Sequence, residues 1–173
     1  MRSGKKRREI FYTGARVTRG KKWPMKNYAS ASSALACLPC TVDWCATERD
    51  NRIGTLLYHI AAIELDWLYV EVLEQEFPAN LDALFPYGVR DAQGCLSIIT
   101  GVSLEEHLRR LDTVRAALMA TFHTMSLEEF RRSRQLPDYN VTPEWVLYHL
   151  IEHETAHRGE IGEMRRLAEQ DIF

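Results

Sequence analysis

The sequence predicts an all-α fold, a four-helix bundle with a long crossover between helices two and three. Three observations carry that expectation. Apolar residues recur at helical spacing in four separate stretches, helix-starting patterns precede most of them, and residues 78–102 break the period for longer than a tight turn requires. Each stretch is apolar along one stripe only, so packing the stripes against one another is the cheapest way to remove them from water. At 173 residues the chain suits one domain with a sizeable core. We assign that domain to residues 24–173, behind a basic, mobile tail at residues 1–23.

Pro24 suits a first helical turn, and Met25, Tyr28, Ala29, Ser32, Leu35 and Ala36 share one face, so helix one is expected over residues 24–37, ended by Pro39. Helix two is expected from an N-cap at Asp50 or Asn51 to residue 76, just before Phe77-Pro78. Its buried arc holds Ile53, Leu56, Ile60, Ile63, Trp67 and Val70. Residues 78–102 contain Pro78, Pro86, Gly88, Gly94 and Gly101, and the stretch from Gly94 to Gly101 suits a short extended piece. A connection of that length lets helix three run parallel to helix two.

Ser103-Leu-Glu-Glu106 is a capping box that opens helix three, whose stripe is Leu104, Leu108, Leu111, Val114, Leu118 and Phe122. His107 and His123 fall outside paired spacings and read as surface residues. Ser126-Leu-Glu-Glu129 repeats the box before a short helix ending near Arg134. After a loop from Leu136 to Val141, Thr142 as N-cap and Pro143 at the first helical position launch helix four, to about residue 169.

The whole-chain charge of -2 hides an uneven distribution. Ten basic residues face the single acid Glu9 within residues 1–27, so a head of +9 precedes a body of -11. An acidic body disfavours non-specific nucleic-acid binding, and the head reads as a solvated tail, a nucleic-acid arm, or an extension ahead of a true start at Met25. His59, Glu64 and Asp66 interrupt the best apolar run, so no membrane span is expected, and no apolar signal region follows the basic head. The expected location is cytoplasmic, with Cys37, Cys40, Cys45 and Cys95 as reduced thiols. Cys37, Cys40 and Cys45 could form a zinc cluster, but a fourth regularly spaced ligand is missing.

Chemistry concentrates in helix four, where His149, His153 and His157 stand four residues apart. At ~100° per residue, three such rings leave one flank of a helix, ~6 Å apart along the axis. His157 falls in the middle of the core stripe, His153 at its edge and His149 further out. A single buried histidine is ordinarily satisfied by one hydrogen bond. Two on one buried face must both be desolvated, and a shared divalent cation satisfies both at once. His59, on the shoulder of the helix-two core, is the candidate third ligand. Glu64 falls inside the helix-two arc, where it serves a ligating imidazole, sits at a pocket mouth, or faces solvent or an interface. Three imidazoles leave coordination positions open, as catalytic sites do, and suit zinc, nickel, copper or iron alike.

The residues from Leu56 to Trp67, centred on His59-Ile-Ala-Ala-Ile-Glu64, together with His153-Glu-Thr-Ala-His-Arg-Gly-Glu-Ile161, resemble the DinB/YfiT-like metalloenzyme family over about residues 24–170. The resemblance implies a bundle of up-down-down-up topology, often homodimeric. It also implies a divalent metal, nickel or zinc, held by His59, His153 and His157, and it gives His149 no ligand role, leaving it to line a pocket or compete as a fourth ligand. Some members of the family resemble thiol-dependent S-transferases that act on small electrophiles with a low-molecular-weight thiol such as bacillithiol or mycothiol. Others are damage-induced proteins with no established reaction, so the alternative is a non-catalytic stress or interaction protein whose metal site is structural or vestigial. For the enzyme reading, Glu64 and Glu160 are the candidate catalytic carboxylates, orienting an imidazole or taking a proton. Arg90, Arg158 or Tyr139 could hold a substrate carboxylate. The basic head, the Cys37/Cys40 pair and Glu160, where glutamine is frequent, depart from the family pattern.

Overall fold

Residues 53–72 form one continuous helical rod, in which α1 (Ile53–Asp66) passes directly into a π-helical segment (Trp67–Val72). The computed structural model describes residues 41–48 and 50–172. The basic tail, the first predicted helix, Cys37 and Cys40 lie outside the described residues. Arg52, rather than Asp50 or Asn51, is the N-cap of α1, because the Asp50 carboxylate accepts the Thr47 N–H at 2.8 Å and closes a turn ahead of the helix.

The rod stops at Val72 instead of residue 76, and its last turn is wide. The Leu73 N–H reaches back five residues to the Leu68 carbonyl at 3.0 Å, and Glu74 turns out of the helix with φ 54. The extra residue per turn rotates the side chains, so Leu68, Glu71 and Val72 are buried whereas Val70, expected in the core, is 40% exposed. Arg134, fully buried, donates its Nε–H to the Val72 carbonyl at 3.0 Å and pairs with Glu129 at 2.7 Å. A cation thus satisfies a carbonyl that the helix end leaves without a partner.

The crossover is laced onto α1. It contains one helical turn, α2 (Ala79–Asp82), where an aperiodic connection was expected, and the extended piece is reduced to a bridge between Arg90 and Leu96. The Tyr58 hydroxyl donates to the Tyr87 carbonyl at 2.7 Å and accepts the Tyr87 N–H at 3.0 Å, and Thr55 accepts the Ile99 N–H at 3.1 Å. Arg110 donates to the Leu84 carbonyl at 2.8 Å while its guanidinium lies 5.0 Å from the centre of the Tyr58 ring.

α3 (Leu104–Thr124) and α4 (Leu127–Arg131) begin as their capping residues dictate, with Ser103 and Ser126 each accepting the backbone N–H three residues on. The reciprocal half of each box is not made, because Glu106 and Glu129 turn to Arg109 and Arg132 instead. β1 (Arg134–Gln135) pairs antiparallel with β2 (Asn140–Val141), Arg134 opposite Val141. Thr142 then accepts the Trp145 N–H at 3.2 Å and α5 (Pro143–Ile172) runs to the end of the described chain.

α1 packs against both α3 and α5. Leu68, Val72, Leu118, Val141, Val146 and Leu150 form one core cluster, and Leu65, Leu81 and Val114 another. By length and composition Ile53–Val72 could cross a bilayer, but 67% of it is buried inside the fold, as befits a core helix. His107, expected at the surface, is completely buried. It fills the space that Gly54 leaves open on α1, since a Cβ there would stand 2.9 Å from His107 Nε2 and 3.0 Å from Val42 Cγ1. Gly54→Ala is therefore expected to destabilise the protein by ~1–3 kcal/mol through overpacking, outweighing the ~1 kcal/mol of helix propensity gained, read as a lower urea midpoint at unchanged slope.

Candidate metal centre

Because α5 is uninterrupted through Gly159 and Gly162, its four-residue histidine spacing becomes a row of rings along one flank, and α1 carries His59 to that row. His153 Nε2 and His59 Nε2 are 3.1 Å apart. Ring centroids are separated by 5.0 Å for His59 and His153, 5.0 Å for His59 and His157, and 4.5 Å for His153 and His157. One nitrogen from each ring can be chosen so that all three lie within 4.8 Å of one another, and this cluster could hold a metal ion.

Two features show that these residues fit a cation. Nitrogens around a zinc ion at ~2.0–2.1 Å lie ~3.4 Å apart, close to the separation already present between His59 and His153. His59 is 6% exposed and its Nδ1 is buried with no hydrogen-bond partner among the described residues. The Nε2 of this desolvated ring meets only another imidazole nitrogen, and an ion shared between the rings gives both lone pairs a partner. Burial first, and the neighbouring imidazoles next, lower the His59 pKa to about 4, with Arg90 adding to the effect. His153 is lowered to about 4 for the same leading reason, with His157 and His149 contributing. Rings kept neutral at physiological pH present lone pairs, as metal ligation demands.

Glu160 stands one turn beyond His157, its Oε2 3.2 Å from Nδ1. That contact fixes the ring and leaves Nε2 for a ligand. Glu64 does not meet an imidazole among the described residues. Both its oxygens accept from Arg115, Nε to Oε1 at 2.7 Å and Nη2 to Oε2 at 2.8 Å, and the same Nη2 donates to Glu154 at 2.8 Å. Burial raises the Glu64 pKa while Arg115 pulls it down, and Arg115 is held firmly charged. The bidentate geometry favours the ionised pair. Arg115 from α3 therefore ties α1 to α5 beside His153. Its alternation with core residues in the sequence carried no such signal, because its partners are 51 and 39 residues away.

His149 is not part of the cluster. Its ring stacks on Trp145, centroids 5.0 Å apart at 9°, and lies 4.7 Å from that of Trp67. It stands against the aromatic side chains of Trp67 and Trp145. Arg158 is exposed, and Arg90 donates to the Gly94 carbonyl at 2.8 Å. Tyr139, a candidate for holding a substrate carboxylate, instead donates its hydroxyl to the Glu71 carboxylate at 2.7 Å. Nearby acids make that position hostile to an anion. Cys45 and Cys95 are free thiols outside the histidine cluster.

A family model described as the DinB superfamily matches residues 17–161 of the chain, a span that includes His59, His153 and His157. No curated protein matches it.

Two outcomes follow from these electrostatics. Arg115→Met should cost ~1–3 kcal/mol, less than a fully buried pair because Arg115 is partly solvated, and the loss should be greater at pH 8 than at pH 5, where the unpaired Glu64 takes up a proton. His59, His107 and His153 have folded-state pKa values of about 4. The unfolded chain binds more protons below ~6.5, so their contribution is complete above that pH and is lost as pH falls towards 4. Glu64, Asp66 and Glu71, whose pKa values burial raises, act in the opposite direction. Chemical denaturation of metal-free protein across this range should show stability falling with acid, and falling less in His107→Gln.

Proposed function

This chain belongs to the DinB superfamily, and from that premise we propose that it is a divalent-metal enzyme of the thiol-dependent S-transferase type, acting on a small electrophile. The observation that carries the proposal is the convergence of His59, His153 and His157 from two helices into one group of nitrogens. Three ligands leave room for a further one, which is how catalytic sites differ from closed structural ones. Nickel or zinc is the ion we favour, and the chain arrangement we favour is the up-down-down-up bundle, assembled as a cytoplasmic homodimer with neither membrane nor nucleic acid as partner.

His59, His153 and His157 would hold the ion, which would supply Lewis acidity that lowers the pKa of a thiol so that thiolate is available at neutral pH. The rest of the chemistry falls to the chain. The sulfur forms a bond to an electrophilic carbon, the bond to the leaving group breaks, and the proton released by the thiol passes to solvent or to the leaving group. Glu160 orients His157 and, being exposed, is the carboxylate to which we assign the relay of that proton. Glu64 acts at a distance, holding α1 and α5 in register through Arg115 and Glu154.

Metal analysis tests the site. His153→Ala should lose bound metal while keeping its melting temperature within a few degrees, because the Arg115 bridge and the apolar clusters remain. A matching fall in melting temperature would assign the ion a structural role instead. Affinity should hold through the neutral range and weaken as pH falls towards about 4, where protons compete for the His59 and His153 nitrogens. Consumption of a low-molecular-weight thiol with a panel of electrophiles should require metal and disappear in His153→Ala, and a silent panel would favour a non-catalytic role.

A further inference from the structure

A cavity of about 550 Å³ opens where the π-helical segment, the β2 strand and the start of α5 meet, and Trp67, Tyr139 and Trp145 wall it together with Asn140 and Thr142. Tyr139 is 47% exposed and Trp145 44%. Trp67 and Trp145 are tilted at 42° to each other with centroids 5.4 Å apart, and Tyr139 stands 6.4 Å from Trp67. Large aromatic faces left open in this way cost free energy unless something covers them.

The group hydrogen-bonded to Tyr139 is an acid. The Tyr139 hydroxyl donates to Glu71 Oε1 at 2.7 Å. Glu71 is 5% exposed, and its other oxygen is buried with no partner among the described residues. Burial, then the Glu71 hydrogen bond, push the Tyr139 pKa up to about 12, with Asp66 and Asp138 adding to the effect, so the phenol keeps its proton and remains a donor. Donation to a carboxylate makes the phenol ring more electron-rich, and no lysine, arginine or histidine lines the cavity among the described residues. The π-helical turn contributes to this arrangement, since it carries Glu71 inward to meet the Tyr139 hydroxyl.

We propose that this cavity is a binding site for a small quaternary ammonium cation, whose charge is met by the aromatic rings of Trp67, Tyr139 and Trp145 and by Glu71 hydrogen-bonded to Tyr139. An anion would find no cationic side chain in the lining, and a neutral aliphatic group would gain the apolar contact but not the electrostatic attraction. An alkylated nitrogen needs no hydrogen-bond acceptor, and the walls offer chiefly π faces. None of the four residues belongs to the histidine cluster, so the site is independent of the metal proposal. His149 nonetheless connects the two, contacting Trp67 and Trp145 on one side and lying 6.1 Å from His153 on the other.

Choline and its neutral isostere 3,3-dimethylbutan-1-ol distinguish charge from shape. In a ligand-observed NMR titration the wild-type protein should bind choline saturably and about tenfold more tightly than the isostere. Glu71→Gln should abolish that preference while leaving the isostere's affinity unchanged, and Trp145→Leu, at a half-exposed position that folding tolerates, should weaken both ligands. Metal-free His153→Ala should bind choline like wild type, so a failed metal site and a failed cation site are separately visible. Equal binding of the two ligands, a preference that survives Glu71→Gln with its fold intact by thermal melting, or no saturable binding of choline would each overturn the proposal.

Discussion

Two imidazole nitrogens 3.1 Å apart, on helices 94 residues distant in sequence, are the contact around which this structure is arranged. Burying neutral histidine rings against each other is not stabilising by itself, because each gives up water for a weak partner. The arrangement persists because α1 is fixed on both sides. Arg115 joins Glu64 of α1 to Glu154 of α5 immediately beside His153, and the apolar cluster from Leu68 to Leu150 closes the same interface further along. The rings are thus brought together by packing and charge that do not depend on any ion, which is the condition for a site that can take up and exchange one.

The π-helical turn at Trp67–Val72 is the second determinant. Up to Asp66 the helical period holds, and His59 lands where its place beside the buried arc requires. Beyond it the phase shifts, Val70 moves into solvent, and Glu71 moves into the interior. Arg134 closes the helix end that results, and Tyr139 meets the displaced carboxylate. One local change in helical pitch therefore creates both a buried acid and an aromatic wall next to the histidine row.

These two determinants explain what was legible in the sequence. His153 and His157 could be read from spacing alone, because a helix converts four residues into one face. His59 could be read as the shoulder of a regular arc, and Ser103, Ser126 and Thr142 identified helix starts through hydrogen bonds that span only three residues. Glu160 likewise lies within one turn of its partner. What spacing does not contain is partnership across the fold. Glu64 was recognisable as a carboxylate in an apolar arc, but its ligand is a guanidinium from a different helix, not an imidazole. His107 looked like a surface residue until Gly54 on the neighbouring helix supplied the space for it. The π-turn was hidden for another reason, since a periodicity argument assumes the pitch that this segment abandons.

X-ray absorption at the edge of a bound nickel or zinc ion gives the most direct view of the central claim. The account predicts three imidazole nitrogens at ~2.0–2.1 Å together with oxygen from water, and the loss of one imidazole when His59 is replaced by alanine. A shell containing thiolate sulfur, or a histidine count that His59→Ala leaves unchanged, would contradict it.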